Sequence, residues 1–462
     1  MLIPERTVRH DVQDLRAGLR GEVVTPADPA YAQARLAWNL AADQRPAFVV
    51  FPETADDVAA VVKHARRHGL RVVPQGTGHN ASPIAWAEDM ILLSTSRMRG
   101  VTIDVMGRRA RVAAGTLWLE VTEPASEHGL APLAGSSPDV GVVGYCLGGG
   151  ISWLARKHGL AANSVLAIEI VTADGQLRRV DAENDAALFW ALRGGGGNFG
   201  VVTAMEIALY PMPQLYAGAM WWDWQHSERV MHAWREWTLT LPDEVTSSAR
   251  IMRVPPLPDI PEFLRGRDFV TIDAAIIGDR AHGAALVQKL RDLDPEIDTF
   301  DMVAPVALSR LHNDPEDPVP ALTEHRLLRE LPVEAIDAFL AAAGPDANAP
   351  LLLAEIRHLG GALGVAKPGN GALAKVDAAY LQFAAGIAMP ELIPALKEAL
   401  PRFKAALAPW DAGRGYLNFE ENTADSRHFY DELTYRRLAR IKTQVDPSDM
   451  FRANHPIGEH RP

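Results

Sequence analysis

Three glycine-dense segments, set in order within the first two hundred residues, constrain this chain more than any other feature. They are Gln75-Gly-Thr-Gly-His79-Asn80, the run 141–150 (GVVGYCLGGG), and Arg193-Gly-Gly-Gly-Gly-Asn-Phe-Gly200. Glycine lets backbone N–H groups approach an anion with no Cβ in the way, and it tolerates positive φ. Two such loops converging on a pyrophosphate would neutralise it without lysine, and none of the three carries one. None has Rossmann spacing followed by a ribose-binding acid, and none ends in the Lys-Ser/Thr of a Walker loop. The residues alone describe a dinucleotide or phosphate binder, with a tight turn as the alternative for any single loop.

The segments between the loops alternate helix and strand signals. Residues 47–51 (AFVVF) read as a strand ended by Pro52. Thr54 reads as an N-cap, with Asp56 and Asp57 in the first turn where the helix dipole favours them. Apolar Val58, Val61, Val62 and Ala65 then follow at helical spacing to Gly69, the stop signal. Strands are predicted at 71–74, 91–94, 101–104, 109–114 and 165–173, the last turning at Asp174-Gly175 into a return strand at 176–180. A short helix is predicted over 185–192. Composition changes near 210–213, beyond which the chain is rich in Trp, Pro and longer helix–strand units. The fold class is α+β, in two domains: residues 1–210, a second domain over 211–413 with a sheet covered by helices on one side, and a C-terminal segment, 414–462, returning to the first. That segment reads as a strand, a long helix and a tail.

A length of 462 residues fits two or three domains. The chain has 46 basic and 58 acidic residues, a net charge of -12, and no Lys/Arg-rich run, which argues against nucleic acid or an anionic membrane as partner. Its single cysteine, Cys146, excludes an intrachain disulfide and a cysteine-held zinc, and no metal is expected. The N-terminus (MLIPERTVRHDVQDL) lacks an apolar core of signal-peptide length, and no run of about 18 apolar residues follows, so a cytoplasmic location is expected.

The order and content of these motifs resemble the FAD-binding domain of the vanillyl-alcohol oxidase / para-cresol methylhydroxylase superfamily, in its berberine-bridge-enzyme-like branch. The Gly-x-Gly-His loop stands at Gly76-Thr77-Gly78-His79. The second loop stands at Ala134-Gly135-Ser136-Ser137-Pro-Asp139-Val140-Gly141, continues through Gly144, Tyr145, Gly148, Gly149 and Gly150, and is followed by Gly159-Leu-Ala-Ala-Asn-Ser-Val165. The third runs through Gly200-Val201-Val202. The tail adds Tyr416-Leu-Asn418-Phe419 and Asp446-Pro-Ser-Asp-Met-Phe-Arg-Ala-Asn454. The resemblance covers nearly the whole chain. It implies a PCMH-type fold whose FAD is held by residues 75–80 (Gln75 to Asn80), by the second-loop residues Gly135, Ser136, Ser137, Asp139, Val140, Gly141, Gly144, Tyr145, Gly148, Gly149 and Gly150, by Val165, Gly200, Val201 and Val202, and by Tyr416, Asn418 and Asn454. It further implies that His79 is bonded to the flavin's 8α-methyl, which raises the flavin's reduction potential. Many relatives carry a second, cysteinyl link at the position of Ser137, so none is expected here, and Cys146 reads as a buried small residue. Val140 stands where a small β-branched residue accompanies reaction with O2, although a packing role fits it equally.

A flavin oxidase acting on an alcohol needs a group to take the hydroxyl proton. Reading 416–419 as a strand puts Tyr416 and Asn418 on one face. The resemblance makes Tyr416 the leading base, although a phenol of ordinary pKa, about 10, would have to be lowered by nearby charge or hydrogen bonds. A second polar cluster, Glu355-Ile-Arg-His358, sends Glu355 and Arg357 to one face of a strand and His358 to the other. Tyr380 and Gln382 alternate similarly on a neighbouring strand, and which face roofs the pocket is left open. Glu355 is the rival base. The tryptophans at 221, 222, 224, 234 and 237 read as core. The expected activity is an FAD-linked oxidase taking hydride from a small alcohol, hemiacetal or amine and reducing O2 to H2O2. A dehydrogenase with another acceptor, or a flavin carrier without turnover, are the alternatives. Oligomeric state stays open.

Overall fold

The computed structural model describes residues 5–258 and 260–458; the ends of the first and last expected segments, 1–4 and 459–462, lie outside it. Three sheets carry the architecture. The first orders Glu22–Val24, Phe48–Phe51, Met90–Ser94 and Arg71–Gln75, with the last three parallel. The helix Ala55–His68 covers it, and its start follows from local chemistry. Thr54 is extended (φ -135°, ψ 162°), and its hydroxyl accepts from the Asp57 amide at 3.1 Å. Asp57 in turn accepts from the amides of Arg20, Glu53 and Thr54 at 2.9, 2.9 and 3.1 Å. Burial opposes the charge on Asp57, yet these amides prevail and hold its carboxyl below the ordinary value. Val58, Val61, Val62 and Ala65 are wholly buried, and Gly69 ends the helix at φ 67°.

The second sheet orders Val101–Asp104, Arg109–Ala113, Val201–Ala208, Val165–Val171 and Leu177–Asp181, all antiparallel. The third, of eight strands, runs Ile297–Asp298, Leu215–Asp223, Asp268–Ile276, Val245–Arg253, Leu353–His358, Tyr380–Ile387 and Ala321–Leu328, with Asp301–Val303 beside the second of these. Helices Ser227–Thr238, Arg280–Arg291, Val333–Ala343 and Ile393–Ala406 cover one of its faces. Trp222, Trp234, Phe339 and Phe403 fill the contact and are essentially buried. Trp221 and Trp237 are buried too, while Trp224 is half-buried under the Arg253 guanidinium. Among the described residues no helix is long and apolar enough to cross a membrane.

The tail comes back to the first sheet. Val72 donates to the Met450 carbonyl and accepts from the Arg452 amide, both at 2.9 Å, and Phe451 enters the core beneath. One expectation fails along the way. Residues 416–419 are not a strand: Tyr416 is extended, but Leu417–Phe419 close a 3₁₀ turn, with Phe419 N and Glu420 N both bonded to the Tyr416 carbonyl at 3.1 Å. Tyr416 and Asn418 therefore do not share a strand face. Each is held by its own partner instead.

Candidate active site

A cavity of about 420 Å³ lies between the glycine loops and the uncovered face of the large sheet. The floor begins where Arg71–Gln75 ends. Gly78 is left-handed (φ 85°), and a Cβ there would stand 2.8 Å from the Ala37 Cβ, so only glycine fits. Gly76 and Gly144 differ: a Cβ at either would meet no protein atom within 4 Å, so the space they leave faces the cavity. His79 lies stacked on Trp38, with ring centroids 4.1 Å apart and planes 14° from parallel. Its Nδ1 is 2.7 Å from the Thr77 hydroxyl. Its Nε2 is 3.7 Å from Asp139 Oδ2, the oxygen that accepts from the Trp38 indole N–H.

Gln75, Gly76, Thr77, Gly78, His79 and Asn80 all line the cavity. So do Gly135, Ser136, Ser137, Val140, Gly141, Gly144, Tyr145 and Gly148, and Gly200, Val201 and Val202 from the third loop. Tyr416, Asn418 and Asn454 join them from the tail. Four of the expected residues stand behind this lining. Asp139 braces Trp38 and His79; Gly149 packs on Tyr416 and Gly150 on Tyr145, where a Cβ would come within 3.2 and 2.3 Å of those rings. Val165 opens its strand inside the core of the second sheet.

Tail and floor interlock. Asn418 donates to the Tyr145 carbonyl at 3.0 Å, and a Cβ at Gly148 would fall 1.8 Å from Asn418 Oδ1. Asn454 donates to the Asn80 carbonyl, and Asn80 to that of Leu417 at 3.1 Å. The hydroxyls of Ser136 and Ser137 both donate to Asp314 Oδ2 at 3.0 Å. Cys146 is buried in the short helix Val142–Leu147, and desolvation pushes its thiol well above the ordinary value, so it is inert.

The floor suits FAD on its own geometry. Gln75 Oε1, His79 Nε2, Asn80 Oδ1 and Tyr145 OH are buried polar atoms without a protein partner among the described residues, and all four residues line the cavity. Buried polar atoms are otherwise hydrogen-bonded. A polar, planar ligand lying along them, with its phosphates against backbone N–H groups at Gly76 and Gly144, would satisfy them.

The roof is the bare face of the large sheet. Leu353, Glu355 and Arg357 point into the cavity from Leu353–His358, as do Phe383, Ala385 and Ile387 from Tyr380–Ile387. Tyr380 and Gln382 point the other way. They bond the Thr238 hydroxyl at 2.8 Å and the Phe403 carbonyl at 2.7 Å, in the helical layer. His358 is bonded to Arg156 at 3.0 Å, off the main cavity. The odd-numbered face is thus the roof.

Several roof residues carry no sequence motif. Arg250 grips Asp273 with two bonds, 2.7 and 3.0 Å, while burial pushes Asp273 up to about 6 against that charge. His312 sits between them and Glu355, 3.1 Å from Ser248 Oγ and 3.6 Å from Glu355 Oε1. Burial first, then Arg250 and Arg357, holds its imidazole far below the ordinary value and neutral. Glu421 lines one end of the cavity and accepts from Asn39 at 3.1 Å; burial, with Glu420 adding to it, pushes its carboxyl up to about 8. The strand Val245–Arg253 (VTSSARIMR) does alternate, so Ser248 and Arg250 were findable by period two. Trp38, His312 and Asp314 lie in irregular segments with no such signal.

Tyr416 is buried, its amide donating to His325 Nε2 at 3.0 Å. Burial raises its phenol above the ordinary value, and the Gly150 amide, the Arg357 charge and Asn418 offset only part of the rise. The lowering that a tyrosine base requires is absent from this geometry.

Two family signatures match: the FAD binding domain over residues 46–181 and the berberine and berberine-like segment over 415–458. The chain is 28% identical to (R)-6-hydroxynicotine oxidase of Paenarthrobacter nicotinovorans, over 95% of this chain and 97% of that one. The solved structure of 6-hydroxy-D-nicotine oxidase from Arthrobacter nicotinovorans superposes with a TM-score of 0.79 at 26% identity, covering 95% of this chain and 98% of that one. The fold is also that of the Physcomitrella patens BBE-like 1 protein, with a TM-score of 0.84 at 20% identity over 97% and 98% of the two chains. With both signatures seated on a glycine-built floor and a tail that locks onto it, the chain is an FAD-dependent oxidoreductase that carries an FAD binding domain and a berberine-like C-terminal segment and is similar to the hydroxynicotine oxidases.

Proposed function

We propose that this protein is an oxidase whose FAD is bonded through His79, without a second link, and which takes hydride from a small organic substrate and passes the electrons to O2 as H2O2. The observation that carries this reading is the state of His79 on the cavity floor. Its ring is stacked on Trp38 at the cavity lining, and Nε2 is buried without a hydrogen-bond partner among the described residues, 3.7 Å from Asp139 Oδ2. Bound FAD supplies the hydride acceptor. The residues of the chain hold, orient and take protons. In this reading 1–210 and 414–462 hold the flavin and 211–413 recognises the substrate. The residues of the three loops, with Tyr416, Asn418 and Asn454, hold the cofactor, and Ser137 is turned away toward Asp314 rather than offered as a link.

Proton removal falls to Glu355. It faces the cavity and is held by Arg357 Nε at 2.8 Å, with the neutral imidazole of His312 behind it at 3.6 Å. Tyr416, protonated, has its hydroxyl unspent on the protein among the described residues, so it is available to donate to the substrate, and it shapes the corner. Such a site suits an amine as well as an alcohol, and the hydroxynicotine oxidase relative acts, by its name, on an amine-bearing heterocycle. Val140, on the cavity wall, leaves room for O2.

The test is reoxidation. The holoenzyme is reduced anaerobically with dithionite and mixed with air-saturated buffer. Rapid return of the oxidised spectrum with one peroxide per flavin is expected. A reduced flavin that persists for minutes in air, yet passes electrons to a quinone or dye, would replace the oxidase with a dehydrogenase.

A further inference from the structure

Resting on the flavoenzyme reading, we propose that Arg357 is the substrate-anchoring cation of the cavity, and that the substrate carries a carboxylate, phenolate or carbonyl oxygen for it to hold. The argument starts from what the cavity's cations are already doing. Arg250 spends its guanidinium on the protein: Nε and Nη2 on Asp273, and Nη1 on the His312 carbonyl at 3.0 Å. Arg357 spends only Nε, on Glu355. Among the described residues neither of its Nη groups donates to a protein atom, and its side chain is 16% exposed, on the cavity wall.

The Nε–Glu355 bond fixes the plane of the guanidinium. Phe419 fixes its position, with the ring centroid 5.1 Å from Arg357 Cζ. That ring meets Tyr416 edge-on at 5.5 Å, so the unused donors stand in the same corner as the tyrosine and the Glu355 carboxylate. A buried cation costs free energy unless its donors are met, and a planar fork of N–H groups matches a planar oxygen acceptor. The roof beyond Glu355 is apolar, with Phe383 opposite Glu355, Leu353 opposite Ala385, and Ile387 farther along the same strand, all lining the cavity. A ligand with a ring-like apolar body and an oxygen acceptor at one end fits both features. Held so, its other end is free to present a C–H bond to the floor.

The test uses the flavin as reporter in the intact holoenzyme. It is titrated with benzoate, benzamide and benzylamine, and the flavin absorbance is followed. Benzoate should perturb the spectrum saturably, and Arg357→Met should weaken its binding by roughly tenfold to a hundredfold, the scale of a hydrogen bond to a charged group. Benzamide binding as well as benzoate would identify a carbonyl as sufficient; weaker binding would identify an anion. Should Arg357→Met lose its flavin, Arg357→Gln takes its place. Equal benzoate affinity in parent and variant overturns the proposal. So does a parent that responds to benzylamine alone, or to none of the three. A protein that purifies without flavin would strike at the flavoenzyme reading, whereas a flavoprotein with indifferent Arg357 variants would strike only at this inference.

Discussion

The floor of the cavity is backbone held open by glycine, whereas its roof is a set of side chains held by charge pairs. At the floor, what matters is the atom that is missing. Gly78 is forced by Ala37 and Gly148 by Asn418, while Gly76 and Gly144 leave room for something that is not protein. At the roof, what matters is which way each side chain points and whether its charge is spent, as it is for Arg250 and is not for Arg357. A backbone site must keep one residue type at fixed spacing. A side-chain site on a sheet can change its chemistry one residue at a time while the fold stays put. The first is suited to a constant cofactor and the second to a changing substrate.

The largest effect that would sharpen this contrast is at Glu355. Glu355→Gln should slow flavin reduction by roughly 10²- to 10⁴-fold, the usual worth of a positioned proton acceptor. Tyr416→Phe should slow it far less, because a phenol whose pKa burial raises is already protonated. Rapid-mixing reduction with a substrate found by peroxide release reads both. The reverse ranking would return the base to Tyr416 and take the proton chemistry from the roof.

At the floor, two glycines separate packing from ligand space. Gly148→Ala, whose new methyl falls 1.8 Å from Asn418 Oδ1 and must displace that amide from the Tyr145 carbonyl, should cost about 1–3 kcal/mol in thermal or denaturant unfolding, and should loosen the tail from the second loop. Gly76→Ala should leave unfolding within ~0.5 kcal/mol of the parent yet lower the flavin-to-protein absorbance ratio. Equal flavin content in Gly76→Ala and the parent would remove that loop from the cofactor site.

The roof's far end carries a pH dependence, at Glu421. Its folded pKa, about 8, lies above the ordinary 4.5. The fold therefore favours the protonated acid, a contribution complete below about pH 4.5 and lost as pH rises through 8. Glu421→Gln keeps a neutral side chain at every pH. It should match the parent near pH 5 and exceed it in melting temperature near pH 9. Parallel pH profiles for the two proteins would mean that the carboxyl ionises freely in the fold.

Much of the floor was legible in the sequence, because its constraints are local. Thr54, Asp57 and Gly69 announce a helix through capping chemistry, and the three loops announce themselves by glycine spacing. The roof was legible only by half. Alternation put Glu355 and Arg357 on one face, but which face met the cavity depended on the helices behind Tyr380 and Gln382, a long-range fact. His312 and Asp314 reach the site from a loop that no periodicity marks. The turn at Leu417–Phe419 was misread as a strand, since tertiary bonds to Tyr145 and His325, and not local propensity, set its shape.

The measurement that bears most directly on the whole account is the fate of the flavin on denaturation. The purified protein is precipitated with acid, and pellet and supernatant are examined for yellow colour. The pellet is then digested and its peptides weighed, with His79→Ala as control. Flavin in the pellet, as added mass on the peptide containing His79 and absent from the control, is the predicted result. Flavin released to the supernatant, with the His79 peptide at its unmodified mass, would contradict it.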